Sequence, residues 1–129
     1  MRPLIFACLL VACGGSSTAP QLGENVEVRL GASVEIPGDT TSVRFTDVTS
    51  DSRCPTGAQC VWAGEAVAVF TVGGKDVVSL TCCGNAQKAT AIVRGKQLTF
   101  VALKPAPALG GGPAKADYVA TIRFTSAND

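Results

Sequence analysis

A chain of 129 residues with 11 Lys and Arg against 10 Asp and Glu has room for one domain and no basic excess with which to hold nucleic acid. It contains no histidine. That absence excludes the Ser-His-Asp and Cys-His nucleophile pairs and every histidine-ligated metal site.

Met1 and Arg2 form a short charged start, and residues 3–12 form an apolar run. A spanning helix needs roughly 20 apolar residues, so this run is too short to cross a membrane and has the form of a signal-peptide centre. The run ends Leu10-Val11-Ala12-Cys13 and is followed by Gly14-Gly15-Ser16-Ser17. These residues closely resemble the lipobox of bacterial lipoproteins: an aliphatic residue, a small or aliphatic one, a small one, then Cys. The resemblance implies that residues 1–12 are cut away, that the Cys13 thiol receives a diacylglycerol, and that the new amino group is acylated as well. Cys8 fits less well, because Phe6 stands where the family has a smaller residue. Each buried methylene contributes about 0.8 kcal/mol and a single chain anchors only marginally, so several chains on Cys13 are what would hold the domain permanently. Gly14 in place of Asp implies an outer-membrane address. Loss of Arg2 leaves the charges balanced.

Residues 14–24 are small, polar and Pro-containing, which reads as a flexible tether after the lipidated Cys13. Fully extended it reaches ~36 Å, and as a Gly/Ser-like coil nearer ~18 Å. Residues 25–129 form the folded domain. Val26, Val28 and Leu30 alternate with Glu27 and Arg29; Val34 and Ile36 flank Glu35; Val43 and Phe45 flank Arg44. Residues 66–72 are apolar at nearly every position, as expected for a central strand buried on both faces. Gly73-Gly74 is a two-residue hairpin signal before the run that holds Val78 and Leu80. Residues 88–94 and 97–103 are two further strands around a tight turn near Gly95. Tyr118, Ala120, Ile122 and Phe124 then alternate with Val119, Thr121, Arg123 and Thr125. About eight strands and no helix predict an all-β fold, either one antiparallel sandwich (Ig-like) or a small barrel. Residues 104–117, with Gly110 to Gly112, read as a loose hairpin connection, with a mobile binding loop as the alternative.

The informative stretch runs from Asp51 to Ala66. Asp51 and Ser52 are suited to bonding the backbone ahead of them and starting a turn. Pro55 fixes its own φ and Gly57 permits a positive one, so the chain curls back and Cys54 can meet Cys60. A disulfide closing so small a loop contributes about 2 kcal/mol, and an exported protein permits it. Trp62 is expected against that disulfide and the strand that follows. Gly64 marks a bulge or a close backbone approach. Arg53 and Glu65 either join Asp51 in a polar site or make surface and half-buried ion pairs. Trp62 and Tyr118 either stack a ligand or pack in the core.

The run from Asp51-Ser52-Arg53-Cys54-Pro55 to Cys60-Val61-Trp62-Ala63-Gly64-Glu65-Ala66 resembles a family of small, uncharacterised bacterial secreted proteins and lipoproteins. The hairpin after the motif, then Leu103, Pro105 and Pro107, then the strand from Asp117-Tyr118 extend the resemblance over residues 43–125. It implies a β-rich fold and a Cys54–Cys60 disulfide, and it supplies no catalytic residues. Cys82-Cys83 lies outside that pattern. The pair forms a vicinal disulfide, remains as two thiols, or cross-links to the loop of Cys54 and Cys60; adjacent strand side chains point to opposite faces, which opposes the last. As thiolates the two suit Cu(I) or zinc, although their spacing matches no usual zinc pattern.

These observations point to a non-catalytic, lipid-anchored interaction or structural module of the cell envelope. Its expected partners are the membrane, through Cys13, and an envelope protein; no cofactor and no metal site is implied. The alternatives are a redox or soft-metal protein using Cys82 and Cys83, and a carboxylate-dependent hydrolase, which needs two acids about 5–9.5 Å apart across a cleft.

Overall fold

The period-two runs become strands because each offers one apolar row to a shared interior. They are β1 (Asn25–Arg29), β2 (Ser33–Glu35), β3 (Ser42–Asp51), β4 (Ala66–Val72), β5 (Asp76–Cys82), β6 (Thr90–Val93), β7 (Lys96–Lys104) and β8 (Val119–Ser126). Two short 3₁₀ turns, Ala86–Ala89 and Lys115–Asp117, complete the described elements. The structure is a computed structural model describing residues 20–61, 64–84, 86–107 and 114–127. The expected signal segment, Cys13, Trp62 and Gly110 to Gly112 lie outside the described residues.

Two four-stranded antiparallel sheets pack face to face, in the orders β1-β8-β7-β6 and β2-β3-β4-β5. The sandwich is therefore the architecture found, and the barrel is not: β1 and β6 end one sheet, β2 and β5 the other. The β2-β3-β4-β5 sheet is built from sequential hairpins; in the other sheet β6, β7 and β8 follow in order and β1, from the opposite end of the chain, pairs with β8. The chain changes sheet between β1 and β2. There Gly31, at φ 91°, donates its N–H to the Phe45 carbonyl at 2.6 Å, and Leu30 donates to the Tyr118 carbonyl at 3.0 Å.

Phe45, Phe70, Phe100 and Phe124 are the largest side chains of the interior, with Ile36, Leu80, Leu98 and Ile122 between them. Phe45 and Phe70 stack at 5.4 Å within one sheet, and Phe70 meets Phe100 of the other sheet edge-on at 5.8 Å. No polar or charged residue is buried among the described residues. Two bulges keep the inward rows continuous. In β3 the register slips between Phe45 and Asp47, so Val48 faces inward despite its odd spacing from Val43 and Phe45. A slip between Phe100 and Ala102 does the same for Leu103 in β7.

The glycine turns fall where the sequence puts them, with one change of length. Val72 pairs with Asp76, so the Gly73-Gly74 connection also includes Lys75, whose N–H reaches the Val72 carbonyl at 3.3 Å. Arg94 and Gly95, at φ 49° and 76°, make a two-residue turn between the paired Val93 and Lys96. The expectation that β4 is covered on both faces is corrected. Ala66, Ala68, Phe70 and Val72 are buried, while Val67, Val69 and Thr71 on the other face are only half-covered. The apolar outward row made a one-sided strand look two-sided.

The registers define two ends. The start of β1, the end of β8 and the turns at Gly73 and Gly95 share one end, where Gly23 donates to the Phe124 carbonyl at 2.7 Å and fixes the point of chain entry. The end of β3, the start of β4 and the ends of β5 and β7 share the other.

Candidate functional site

The far end is held by Asp51, Arg53 and Tyr118. Asp51 closes β3, and Tyr118 stands immediately before β8. The Arg53 guanidinium grips the carboxylate with a two-point fork, Nε to Oδ1 at 2.8 Å and Nη2 to Oδ2 at 2.8 Å. The Tyr118 hydroxyl donates to the same Oδ2 at 2.9 Å, and the Arg53 backbone N–H reaches Oδ1 at 3.3 Å. The rest of the guanidinium crosses to the other sheet: Nη1 donates to the Leu103 carbonyl at 2.6 Å and Nη2 to the Pro105 carbonyl at 2.9 Å. Thr56 adds an N–H bond to the Pro107 carbonyl at 2.9 Å. One arginine thus ties the last residue of β3 to the exit of β7, with both charged side chains only 11% exposed.

Ser52 and Glu65 continue the β3–β4 ladder past its last strand pair. Ser52 donates through N–H and Oγ to the Glu65 carbonyl, at 2.7 and 3.0 Å, and its Oγ accepts the Glu65 N–H at 3.1 Å. Gly64 enters this clasp at φ 72°, and a Cβ there would stand 1.9 Å from the Ser52 carbonyl oxygen. Pro55 accepts the Ala58 N–H at 3.0 Å, and Gly57 follows at φ 90°. The turn brings Cys54 and Cys60 to disulfide distance with their Cα atoms 5.9 Å apart. Cys82 and Cys83 also stand at disulfide distance. Both cysteine pairs are local, and the cross-links between loop and strand end that the sequence left open are not formed. Cys82 is buried, and Cys83 is exposed at φ 77°.

In the Cys54→Ser variant the loop loses its closure, and folding stability falls by about 2 kcal/mol. Urea unfolding against the unmodified chain checks this, and an unchanged midpoint would mean that no such bond closes the loop.

Burial acts to raise the Asp51 pKa. It is outweighed by the hydrogen bonds from Arg53 and Tyr118 and by the Arg53 charge, so the carboxyl is held below its ordinary value. The sign follows from linkage. The contribution is complete above the unfolded carboxylate value of ~3.9 and is lost as pH falls through the lower folded value. Acid unfolding of an Asp51→Asn variant should accordingly start from lower neutral stability and decline less in that range. An equally steep acid decline would remove Asp51 as its source.

Burial, then the Asp51 acceptor bond and the Asp51 charge, raise the Tyr118 pKa. The sequence has 1 tyrosine, so alkaline absorbance titration reads this group alone. The midpoint should stand above ~10 and move down in Asp51→Asn. The associated stability is present below ~10 and is lost as pH rises through the higher folded value.

Every bonding direction of Asp51 is occupied by Arg53 or Tyr118, so the carboxylate is not free to take a proton from water or to attack a sugar. Tyr118 is buried with its hydroxyl committed, and is not a ligand platform. Glu65 lies apart, its Oε1 3.0 Å from where a Cβ on Gly84 would be. The acceptors Leu103 and Pro105 are backbone carbonyls, which residue types do not reveal; the only trace in the sequence is the spacing of Leu103, Pro105 and Pro107. Away from this end, a groove of about 570 Å³ on the outer face of the second sheet is lined by Leu30, Ser33, Arg44, Thr46 and Thr71 among others.

Compared with known proteins, the chain matches no family model, no curated protein and no solved structure.

Proposed function

We propose that the chain is a non-catalytic, lipid-anchored interaction or structural module of the bacterial cell envelope. On this reading it is exported, trimmed of residues 1–12 and tethered through Cys13, with the outer membrane as its address. The observation that carries the non-catalytic part is the saturation of Asp51: among the described residues, this largely shielded cluster of ionisable groups is spent on joining the two sheets. The anchored part rests on Leu10-Val11-Ala12-Cys13 and on chain entry at one end of the sandwich. β3 has 10 residues, which at ~3.3 Å each hold the far-end loops roughly 30 Å beyond the point of entry. A partner in the envelope would meet those loops first.

Intact-mass measurement of the full chain expressed in a bacterium, beside Cys13→Ala, tests the anchor. A mature chain beginning at Cys13 with added acyl mass, absent from the variant, supports the reading. A soluble chain that keeps residues 1–12, or loses them without gaining lipid, overturns it.

The exposure of Cys83 beside the buried Cys82 favours a second reading, a redox or soft-metal role. Alkylation of the isolated chain separates the two. If both residues resist labelling without reductant and neither Cu(I) nor zinc binds after mild reduction, the second reading fails. Ready labelling that Cu(I) or zinc blocks would put it first.

A further inference from the structure

The groove on the outer face of the β2-β3-β4-β5 sheet has one charged residue in its lining, Arg44. Strand β3 sends Ser42, Arg44 and Thr46 to this face before the bulge that follows Phe45. Arg44 stands opposite Ser33 on β2 and opposite Thr71 on β4. Both of its cross-strand neighbours and both of its neighbours along the row therefore carry hydroxyls. Among the described residues, the Arg44 guanidinium and the hydroxyls of Ser33, Ser42 and Thr71 have no hydrogen-bond or ion-pair partner. Thr46 is already bonded: its Oγ donates to the Val69 carbonyl at 3.0 Å, so only its acceptor side is left for the groove.

The carboxylates of this face do not neutralise the arginine. Asp47 is held by Lys115 at 2.8 Å. Glu35 stands opposite Ser42, two residues along β2 from Ser33, and forms no ion pair among the described residues. Neither acid lines the groove.

We propose that this groove binds an acidic sugar, with the sugar carboxylate on the Arg44 guanidinium and its ring hydroxyls on Ser33, Ser42 and Thr71. An unspent guanidinium presents a planar fork that matches a carboxylate at two points. Serine and threonine hydroxyls both donate and accept, as sugar hydroxyls do. The volume of about 570 Å³ falls within the range of small-molecule clefts and exceeds what a lone anion fills. Leu30 adds an apolar contact for the C–H side of a ring. Among the described residues no aromatic side chain lines the groove, and Arg44 is exposed, so affinity falls near ~1 mM and weakens with salt. The proposal goes beyond the anchored-module reading by giving it a ligand, and the binding itself does not require the anchor.

The test uses the full chain with Cys13→Ser, so that no lipid takes part, and follows backbone amide NMR shifts during titration with digalacturonate, with maltose and with acetate. Digalacturonate should shift residues 30–33, 42–46 and 71–74 saturably, and at least about tenfold more tightly than the neutral sugar or the simple anion. Arg44→Gln should weaken it at least about tenfold and Arg44→Lys less, because lysine keeps the charge without the fork. Glu35→Gln should tighten it about twofold by removing the nearest carboxylate of the face. Thr71→Val, which preserves the shape of the strand and removes one hydroxyl, should weaken it about threefold and replaces the arginine test if Arg44→Gln fails to fold. Absence of saturable shifts, shifts centred on another face, or equal binding of maltose or acetate overturns the proposal. The result stands apart from the anchor, whose failure would show in the mass at Cys13.

Discussion

Arg53→Met is expected to cost about 3 kcal/mol of folding stability, the scale of breaking a shielded ion pair by removing one partner. The guanidinium makes both side-chain bonds to Asp51 and both bonds to the carbonyls of Leu103 and Pro105. Methionine fills much of the space and leaves an 11% exposed carboxylate with only the Tyr118 hydroxyl and the backbone N–H of residue 53. Arg53→Lys keeps the charge and loses the fork, so it should fall between the two. The double variant Asp51→Ala with Arg53→Met should cost less than the sum of the single changes, since each single change strands the other partner. Urea midpoints of the four chains give the coupling. A loss below about 1 kcal/mol for Arg53→Met would place this pair with ordinary surface ion pairs and remove the argument that it joins the sheets.

Gly64→Ala should be at least as damaging, at about 4 kcal/mol or outright failure to fold. Two penalties coincide at this position. The backbone is at φ 72°, which disfavours any Cβ, and the added carbon would overlap the Ser52 carbonyl at 1.9 Å. The obstacle is backbone, so relief requires opening the Ser52–Glu65 clasp. Gly74→Ala is the matched control: its φ is 78°, but nothing lies within 4 Å of the added carbon. It should cost only about 1 kcal/mol, the conformational penalty alone. Thermal unfolding of the two variants separates crowding from backbone preference. Equal losses would mean that the close approach is not what Gly64 serves.

The strands were legible because the interior imposes alternation on them. Val119 to Thr125 and Gln97 to Leu103 announce themselves through Ala120, Ile122, Phe124, Leu98 and Phe100. Arg94-Gly95 was legible for a local reason, since a two-residue hairpin needs positive φ at both positions. The pairing of β1 with β8 was not, because residues at opposite ends of the chain leave no joint trace in either segment. The site divides in the same way. Asp51 with Arg53 and the glycine at 64 could be suspected from short spacings. Tyr118 on Asp51, 67 positions away, and the guanidinium on the Leu103 and Pro105 carbonyls could not. Reading residues 66–72 as covered on both faces failed because Val67 and Val69 satisfy strand preference as well as burial does.

The route by which the chain enters the sandwich also sets how it would bear a pull. β1 begins at the entry end and runs its length against β8, in register from Asn25 with Arg123 to Arg29 with Val119. A force between a membrane tether and a partner held at the far loops acts along this strand. The ladder between β1 and β8 is then loaded in shear, with all its bonds sharing the tension, and does not peel one bond at a time. An anchor at the other end of β1 would have met the opposite case, unzipping from the first pair.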